Sequence, residues 1–321
     1  MSGWQTTDHT GRDTGAPPPP PAPARLAPAP ADPAWLPAGF HQPVLLGTGG
    51  EGEVWRARAR KGPSPVAIKR YRKGSGRSFY RELSALLDVD CPQLVGVYGL
   101  RDGDDGERML IMEYCAGGNL RDILASDGPM APVAALTLGT HMARALSALG
   151  ANRLIHADVK PENVFRKRRT GAPVWKLGDL GICRREGAKG VGTAHTPAYA
   201  APEQRMGMAA TPASDVFSMA LVVAECLTGR AVGRGNPAAG TPMPLDTGPT
   251  GAGPAVDDFL AACMYVDPAG RPAAAEAERF FADEASRARA TRYAGDPAAA
   301  HGLSHAAEGI ELPWMDGAQN G

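Results

Sequence analysis

The sequence is short of cysteine, has no excess charge of either sign and holds no long apolar run. Its five cysteines, Cys91, Cys115, Cys183, Cys226 and Cys263, lie far apart and match neither a disulfide framework nor metal-ligand spacing. A reducing, cytoplasmic setting is expected from that usage. Lys+Arg and Asp+Glu both number 34 in 321 residues, so the charge balance calls for neither nucleic acid nor an anionic membrane as partner. No stretch reaches the ~18 apolar residues of a membrane span. The longest candidate, Met219 to Leu227, is interrupted by Glu225 and reads as a buried helix. A basic-then-apolar signal segment is not expected either.

Glycine (40) and proline (30) are abundant, and their clustering marks boundaries. Residues 1–37 carry Pro17 to Pro21 and further alternating Ala and Pro, with few large apolar residues. A disordered, polyproline-leaning tail is expected there, serving as a solvated spacer or as an interaction segment for an aromatic-lined groove. Residues 38–114 are strand-like, with Val44 to Leu46, Glu53 to Ala59, Val66 to Arg70, Leu94 to Leu100 and Met109 to Tyr114 separated by Gly, Pro and Asp turns. One helix, Ser78 to Leu87, interrupts them. Residues 118–290 turn helical, as in Ala131 to Gly150, Val256 to Met264 and Ala273 to Ala290, with a Gly/Pro/Thr-rich loop at 230–254. Residues 291–321 read as a loosely ordered tail in which Ile310, Leu312, Trp314 and Met315 could dock. The expected fold class is therefore α+β: a small sheet lobe with one helix, then a larger helical lobe.

Four groups of residues carry chemistry. Gly47-Thr-Gly49-Gly-Glu-Gly52-Glu-Val54 lies between two strand-like runs, where a glycine hairpin can lay backbone N–H groups over phosphates. Val66-Ala67-Ile68-Lys69 places a cation beneath that hairpin, and Glu82 in the following helix can anchor it. His156-Ala-Asp158-Val-Lys160-Pro-Glu-Asn163 and Asp179-Leu180-Gly181 follow in the helical part. Taken singly, each also fits a bland role: a flexible turn, a surface lysine, a solvated glutamate.

In order and spacing these motifs resemble the eukaryotic-type serine/threonine protein kinases over residues 40 to 285. Ala201-Pro202-Glu203 looks like the family's activation-segment end, Asp215 like the start of its central helix, and Arg271 like the buried partner of Glu203. The resemblance implies a bilobal fold that transfers the γ-phosphoryl group of ATP to a protein hydroxyl, with Mg²⁺ or alternatively Mn²⁺. It implies that Asp158 orients the attacking hydroxyl, Lys160 neutralises charge, Lys69 holds the phosphates, and Asn163 and Asp179 hold metal. Met112 looks like the residue behind the adenine. The Glu113 carbonyl and Cys115 N–H would meet its edge, and Val54, Ala67 and Phe165 would sandwich its ring. Leu86, Val97, His156 and Leu180 resemble stacked side chains linking the lobes, and Asp215 would brace the catalytic loop.

Four positions depart from the family pattern: Ala157 for arginine, Leu180 for phenylalanine, His195 for glycine and Phe217 for tryptophan. Ala157 cannot pair with a phosphate, which implies catalysis independent of Thr193 phosphorylation, with Arg184, Arg185 and Lys189 as loop cations. A pseudokinase-type binding scaffold that could present the proline-rich tail, and a small-molecule kinase, are the rival readings.

Overall fold

The computed structural model describes residues 32–103, 107–186, 196–231 and 250–294. The first lobe is a five-stranded antiparallel sheet built from β1 (Phe40–Thr48), β2 (Gly52–Ala59), β3 (Val66–Tyr71), β4 (Val97–Asp102) and β5 (Arg108–Glu113), ordered β1-β2-β3-β5-β4. Successive strand residues point to opposite faces, and the two faces have separate cores. Ala67, Tyr71, Leu110 and Met112 pack on the side carrying Phe79 of helix α1 (Gly76–Asp88). Val66, Ile68, Met109 and Ile111 pack on the other.

That second face is covered by Trp35, Leu36 and Phe40. Trp35 stacks near Trp55 (ring centroids 5.0 Å apart) and beneath the Arg70 guanidinium at 5.1 Å. Residues 32–37, expected to belong to the tail, thus include side chains that close the sheet; residues 1–31 lie outside the described residues. Strand β4 starts at Val97 rather than Leu94. Leu94 and Val95 instead reach the second lobe, Val95 N–H donating to the Leu177 carbonyl at 2.9 Å.

The second lobe holds α2 (Leu120–Asp127), α3 (Pro132–Ala151), α4 (Pro202–Arg205), α5 (Pro212–Thr228), α6 (Pro254–Cys263) and α7 (Ala274–Ala294). It also carries short strands β6 (Leu154–Ile155), β7 (Val164–Lys167), β8 (Val174–Leu177) and β9 (Arg184–Arg185), paired β6-β9 and β7-β8. Every residue of α5 from Ser214 to Leu227 is buried, so a helix apolar except at Ser214, Asp215, Ser218 and Glu225 runs through the interior of the lobe. Thr211 caps α5 through reciprocal bonds with Ser214, which frees Asp215 for another task. Helix α3 packs against α7 at Gly139, where an added Cβ would come within 3.0 Å of the Phe281 ring.

Helix α7 runs to Ala294, past the expected tail boundary. Most of the predicted 230–254 loop and all of the 295–321 tail fall outside the described residues. Among the described residues no helix is long and apolar enough to cross a membrane, and no disulfide is formed.

Candidate active site

Strand alternation aims Lys69 into the cleft with Ala67 and Tyr71. Its Nζ lies 2.7 Å from Glu82 Oε2 on α1, 2.7 Å from Asp179 Oδ1 and 3.4 Å from Glu51 Oε2. Tyr71 donates its hydroxyl to the same Glu82 oxygen. Burial alone would lower the Lys69 pKa, but Glu82 and Asp179 outweigh it and hold the ammonium well above the usual lysine range. Burial pushes the Glu82 carboxyl up, against the pull of Lys69. Asp179, whose side chain is 44 % exposed, is held below the ordinary aspartate value because Lys69 outweighs burial there. Its backbone sits at φ 63°, a left-handed conformation unusual for a residue with a side chain.

Asp158 is wired from three directions. Lys160 Nζ donates to Oδ2 at 2.6 Å, the Thr196 hydroxyl to Oδ1 at 2.8 Å, and the Asn163 amide to the Asp158 carbonyl at 2.9 Å. Lys160 also donates to Thr196 at 2.9 Å, so Lys160 and Thr196 flank the aspartate. Beneath the loop, Asp215 accepts the N–H of His156 at 2.7 Å and of Ala157 at 2.8 Å. These bonds hold Ala157 at φ 67°, and burial pushes the Asp215 carboxyl up to about 6. The Ala157 carbonyl accepts from Gln204 Nε2 at 3.1 Å, which ties the loop to α4.

A cavity of about 270 Å³ joins these groups, lined by Gly49, Gly50, Glu51, Gly52, Val54, Lys69, Asp158, Asp179 and Ile182. The turn is closed by Gly49 N–H to the Gly52 carbonyl at 2.8 Å. Its glycines serve two different ends. A Cβ at Gly52 would lie 1.9 Å from the Arg70 carbonyl, so packing on β3 demands glycine, whereas Gly49 and Gly50 face open space. Gly47, paired with Val54 in the sheet, does not line the cavity.

Val54, Ala67, Met112, Cys115 and Phe165 share one apolar cluster. The Glu113 side chain bridges the lobes: Oε2 lies 2.7 Å from Lys176 Nζ, Lys167 donates to Oε1, and the Gly96 N–H donates to Oε2 at 3.2 Å. Burial, reinforced by Glu113, raises the Cys115 thiol to about 12, which keeps it protonated. His156 is fully buried, with its ring Nε2 3.1 Å from the Gly178 carbonyl. Of the stacked set, Val97 packs in the small-lobe cluster and Leu180 in the large-lobe one; the Leu86 side chain lies outside the described residues.

Tyr71, Glu51 and the cavity-lining Ile182 were not singled out from sequence. Tyr71 is two positions from Lys69 on one strand, so the period-2 rule could have placed it beside Glu82. Glu51 in the glycine turn carried only its charge as a signal. One carboxylate oxygen each of Glu51, Glu82 and Asp179 lies within 4.8 Å of the others, with Lys69 among them. Thr193, His195 and Lys189 are outside the described residues. Arg184 and Arg185, expected to be mobile-loop cations, form strand β9 against β6.

Residues 40–280 match the family described as the protein kinase domain, and the chain belongs to that family. Its two lobes are the family's bilobal fold. Serine/threonine-protein kinase PkaA of Streptomyces coelicolor is 36 % identical over 207 residues, covering 58 % of this chain and 38 % of that protein. Serine/threonine-protein kinase PknB of Mycobacterium leprae is 35 % identical over 202 residues (58 % and 32 %). Serine/threonine-protein kinase pkn3 of Myxococcus xanthus is 28 % identical over 259 residues (73 % and 47 %). The matched region therefore spans between about a third and a half of the length of these relatives.

Proposed function

We propose that this chain is the catalytic domain of a cytoplasmic, signalling serine/threonine protein kinase that transfers the γ-phosphoryl group of ATP to a protein hydroxyl. The observation that carries the reading is one cavity with two prepared walls: Lys69 bonded to both Glu82 and Asp179 on one side, and Asp158 bonded by Lys160 and Thr196 on the other. The relatives' names agree with it.

The residues fit a metal-bound triphosphate. Gly49 and Gly50 leave space where a Cβ would otherwise stand, and Asp179 offers a half-exposed carboxylate held ionised by Lys69. Asn163 uses its amide nitrogen on Asp158, leaving the amide oxygen as a second ligand for Mg²⁺ or Mn²⁺. The metal, when bound, supplies charge neutralisation at the phosphates. Lys69 holds the nucleotide's phosphates, and Met112, Glu113 and Cys115 border its base. Asp158 accepts the proton as the acceptor oxygen bonds to phosphorus and the bond to the ADP oxygen breaks, while Lys160 offsets the charge on the transferring group.

The Asp215 and Gln204 bonds fix the Ala157 backbone without an arginine, which supports activity independent of Thr193 phosphorylation. The test is incubation of the protein with Mg-ATP and a degenerate peptide library, read by mass spectrometry, with Asp158→Asn as control. Phosphoserine or phosphothreonine products from the wild type alone support the reading; nucleotide binding without turnover would replace it with a scaffold.

A further inference from the structure

Tyr71 and Lys69 leave strand β3 on the same side, and both end on one oxygen. Lys69 Nζ donates to Glu82 Oε2 at 2.7 Å, and the Tyr71 hydroxyl donates to that oxygen as well. Both Tyr71, 2 % exposed, and Glu82, 1 % exposed, are sealed from water. The Tyr71 ring meets the Phe79 ring of α1 edge-on, with centroids 5.3 Å apart, and its centroid lies 5.0 Å from the Lys69 ammonium. One side chain thus touches the helix twice and the lysine once. Burial, reinforced by Glu82, raises the Tyr71 pKa, so the phenol stays a donor.

Lys69 is a shared partner for Glu82. Its ammonium has three hydrogens, and three carboxylates surround it: Glu82, Asp179 at 2.7 Å and Glu51 at 3.4 Å. A phosphate drawn to Lys69 must take one of these places. A carboxylate buried as deeply as Glu82 cannot turn to water for a replacement donor, and leaving it short costs more than an ordinary hydrogen bond is worth. Helix α1 also starts without a side-chain cap at Ser75, so its place on the sheet rests more on contacts made further along it. A ring that only filled the core would need no hydroxyl, as Phe79 in the same cluster shows. Tyr71 carries one, and it goes to the oxygen that Lys69 would release.

We propose that Tyr71 is a positioning residue: its hydroxyl keeps Glu82, and with it α1, docked against β3 when Lys69 turns to the phosphates of a nucleotide. The proposal deepens the protein kinase reading and rests on it for the ligand, a metal-bound nucleoside triphosphate. Tyr71 does not line the cavity, so it acts through Glu82 on Lys69. Without the hydroxyl, Glu82 draws Lys69 back to itself and away from the phosphates. Once the Glu82 charge is removed, the hydroxyl has nothing left to relieve.

A double-mutant cycle tests it. Wild type, Tyr71→Phe, Glu82→Gln and Tyr71→Phe/Glu82→Gln are titrated calorimetrically with a non-hydrolysable ATP analogue and Mg²⁺, and assayed for transfer to a serine peptide. Tyr71→Phe should weaken analogue binding and raise the KM for ATP by about fivefold, with the KM for peptide unchanged. The double variant should lie within about twofold of Glu82→Gln in analogue affinity. A hydroxyl that served only the fold would instead lower the binding-competent fraction, leave the Kd of the folded protein alone, and cost the same in both backgrounds. That result, wild-type behaviour of Tyr71→Phe, or a Tyr71→Phe protein that does not fold would overturn the proposal. Should Glu82→Gln fail to fold, the split between the two KM values in Tyr71→Phe decides. Absence of transfer by all four proteins counts against the kinase reading alone, because the binding cycle is read without turnover. Transfer with no coupling between Tyr71 and Glu82 counts against this proposal alone.

Discussion

Arg271 and Glu203 face each other through two hydrogen bonds of 2.8 Å, with side chains 0 % and 4 % exposed. Arg271 also donates to the Tyr265 and Val266 carbonyls, and Ser214 donates to Glu203 at 2.6 Å. Arg271→Met should cost about 3–5 kcal/mol in urea unfolding, because it leaves a buried carboxylate unpaired. Burial would raise the Glu203 pKa, but Arg271 and Ser214 outweigh it and lower it. A depressed carboxylate stabilises the fold above its unfolded pKa and loses that contribution as pH falls through its folded value. Wild type should therefore lose stability on acidification below about pH 4.5, and Arg271→Met should lack this component. An unchanged acid limb in the variant would contradict the assignment.

Trp35 packs with Trp55 on the covered face of the sheet. Deleting residues 1–31 should leave the melting temperature near wild type, whereas Trp35→Ala should cost about 1–3 kcal/mol through lost apolar area and the Trp55 contact. Differential scanning calorimetry of the two proteins checks this, and equal stabilities would show that Trp35 contributes nothing.

Glu51 lines the cavity on its glycine-turn side, 3.4 Å from Lys69, and competes with any anion for that ammonium. Glu51→Gln should tighten ATP-analogue binding up to about fivefold, in line with the modest strength of a partly exposed pair. Calorimetric titration reads it directly, and weaker binding would mean that Glu51 helps to hold the nucleotide.

The glycine turn separates packing from ligand space. Gly52→Ala drives a Cβ into the Arg70 carbonyl and should destabilise the β2–β3 hairpin by about 1–3 kcal/mol. Gly50→Ala meets open space and should change nucleotide affinity more than stability. Chemical unfolding paired with nucleotide titration checks both.

The expectations that held from sequence rest on local rules. The Val66-Ala67-Ile68-Lys69 motif marked Lys69, with Glu82 of the following helix expected as its anchor, and the two meet at 2.7 Å. The order of motifs placed Asp158, Asn163 and Asp179 together although the cleft is built from two lobes. What escaped notice were meetings between residues remote in sequence. Nothing in the local pattern relates Arg121 to Glu225, 104 positions apart, and Trp35 stands in a proline-rich context that reads as linker until a sheet face needs covering. Helix ends shifted by a few residues, as at Ala294, because the exposed last turns carry no apolar signal.

Under the proposed function, Lys69 and Asp158 serve one phosphoryl transfer from opposite walls of the cavity. Single-turnover transfer of labelled γ-phosphate from ATP to a serine peptide tests it, with wild type, Lys69→Met and Asp158→Asn compared at matched folding. Each substitution should slow transfer by about 10²–10⁴-fold while nucleotide binding to Asp158→Asn stays near wild type. Transfer at the wild-type rate in either variant would exclude that shared role.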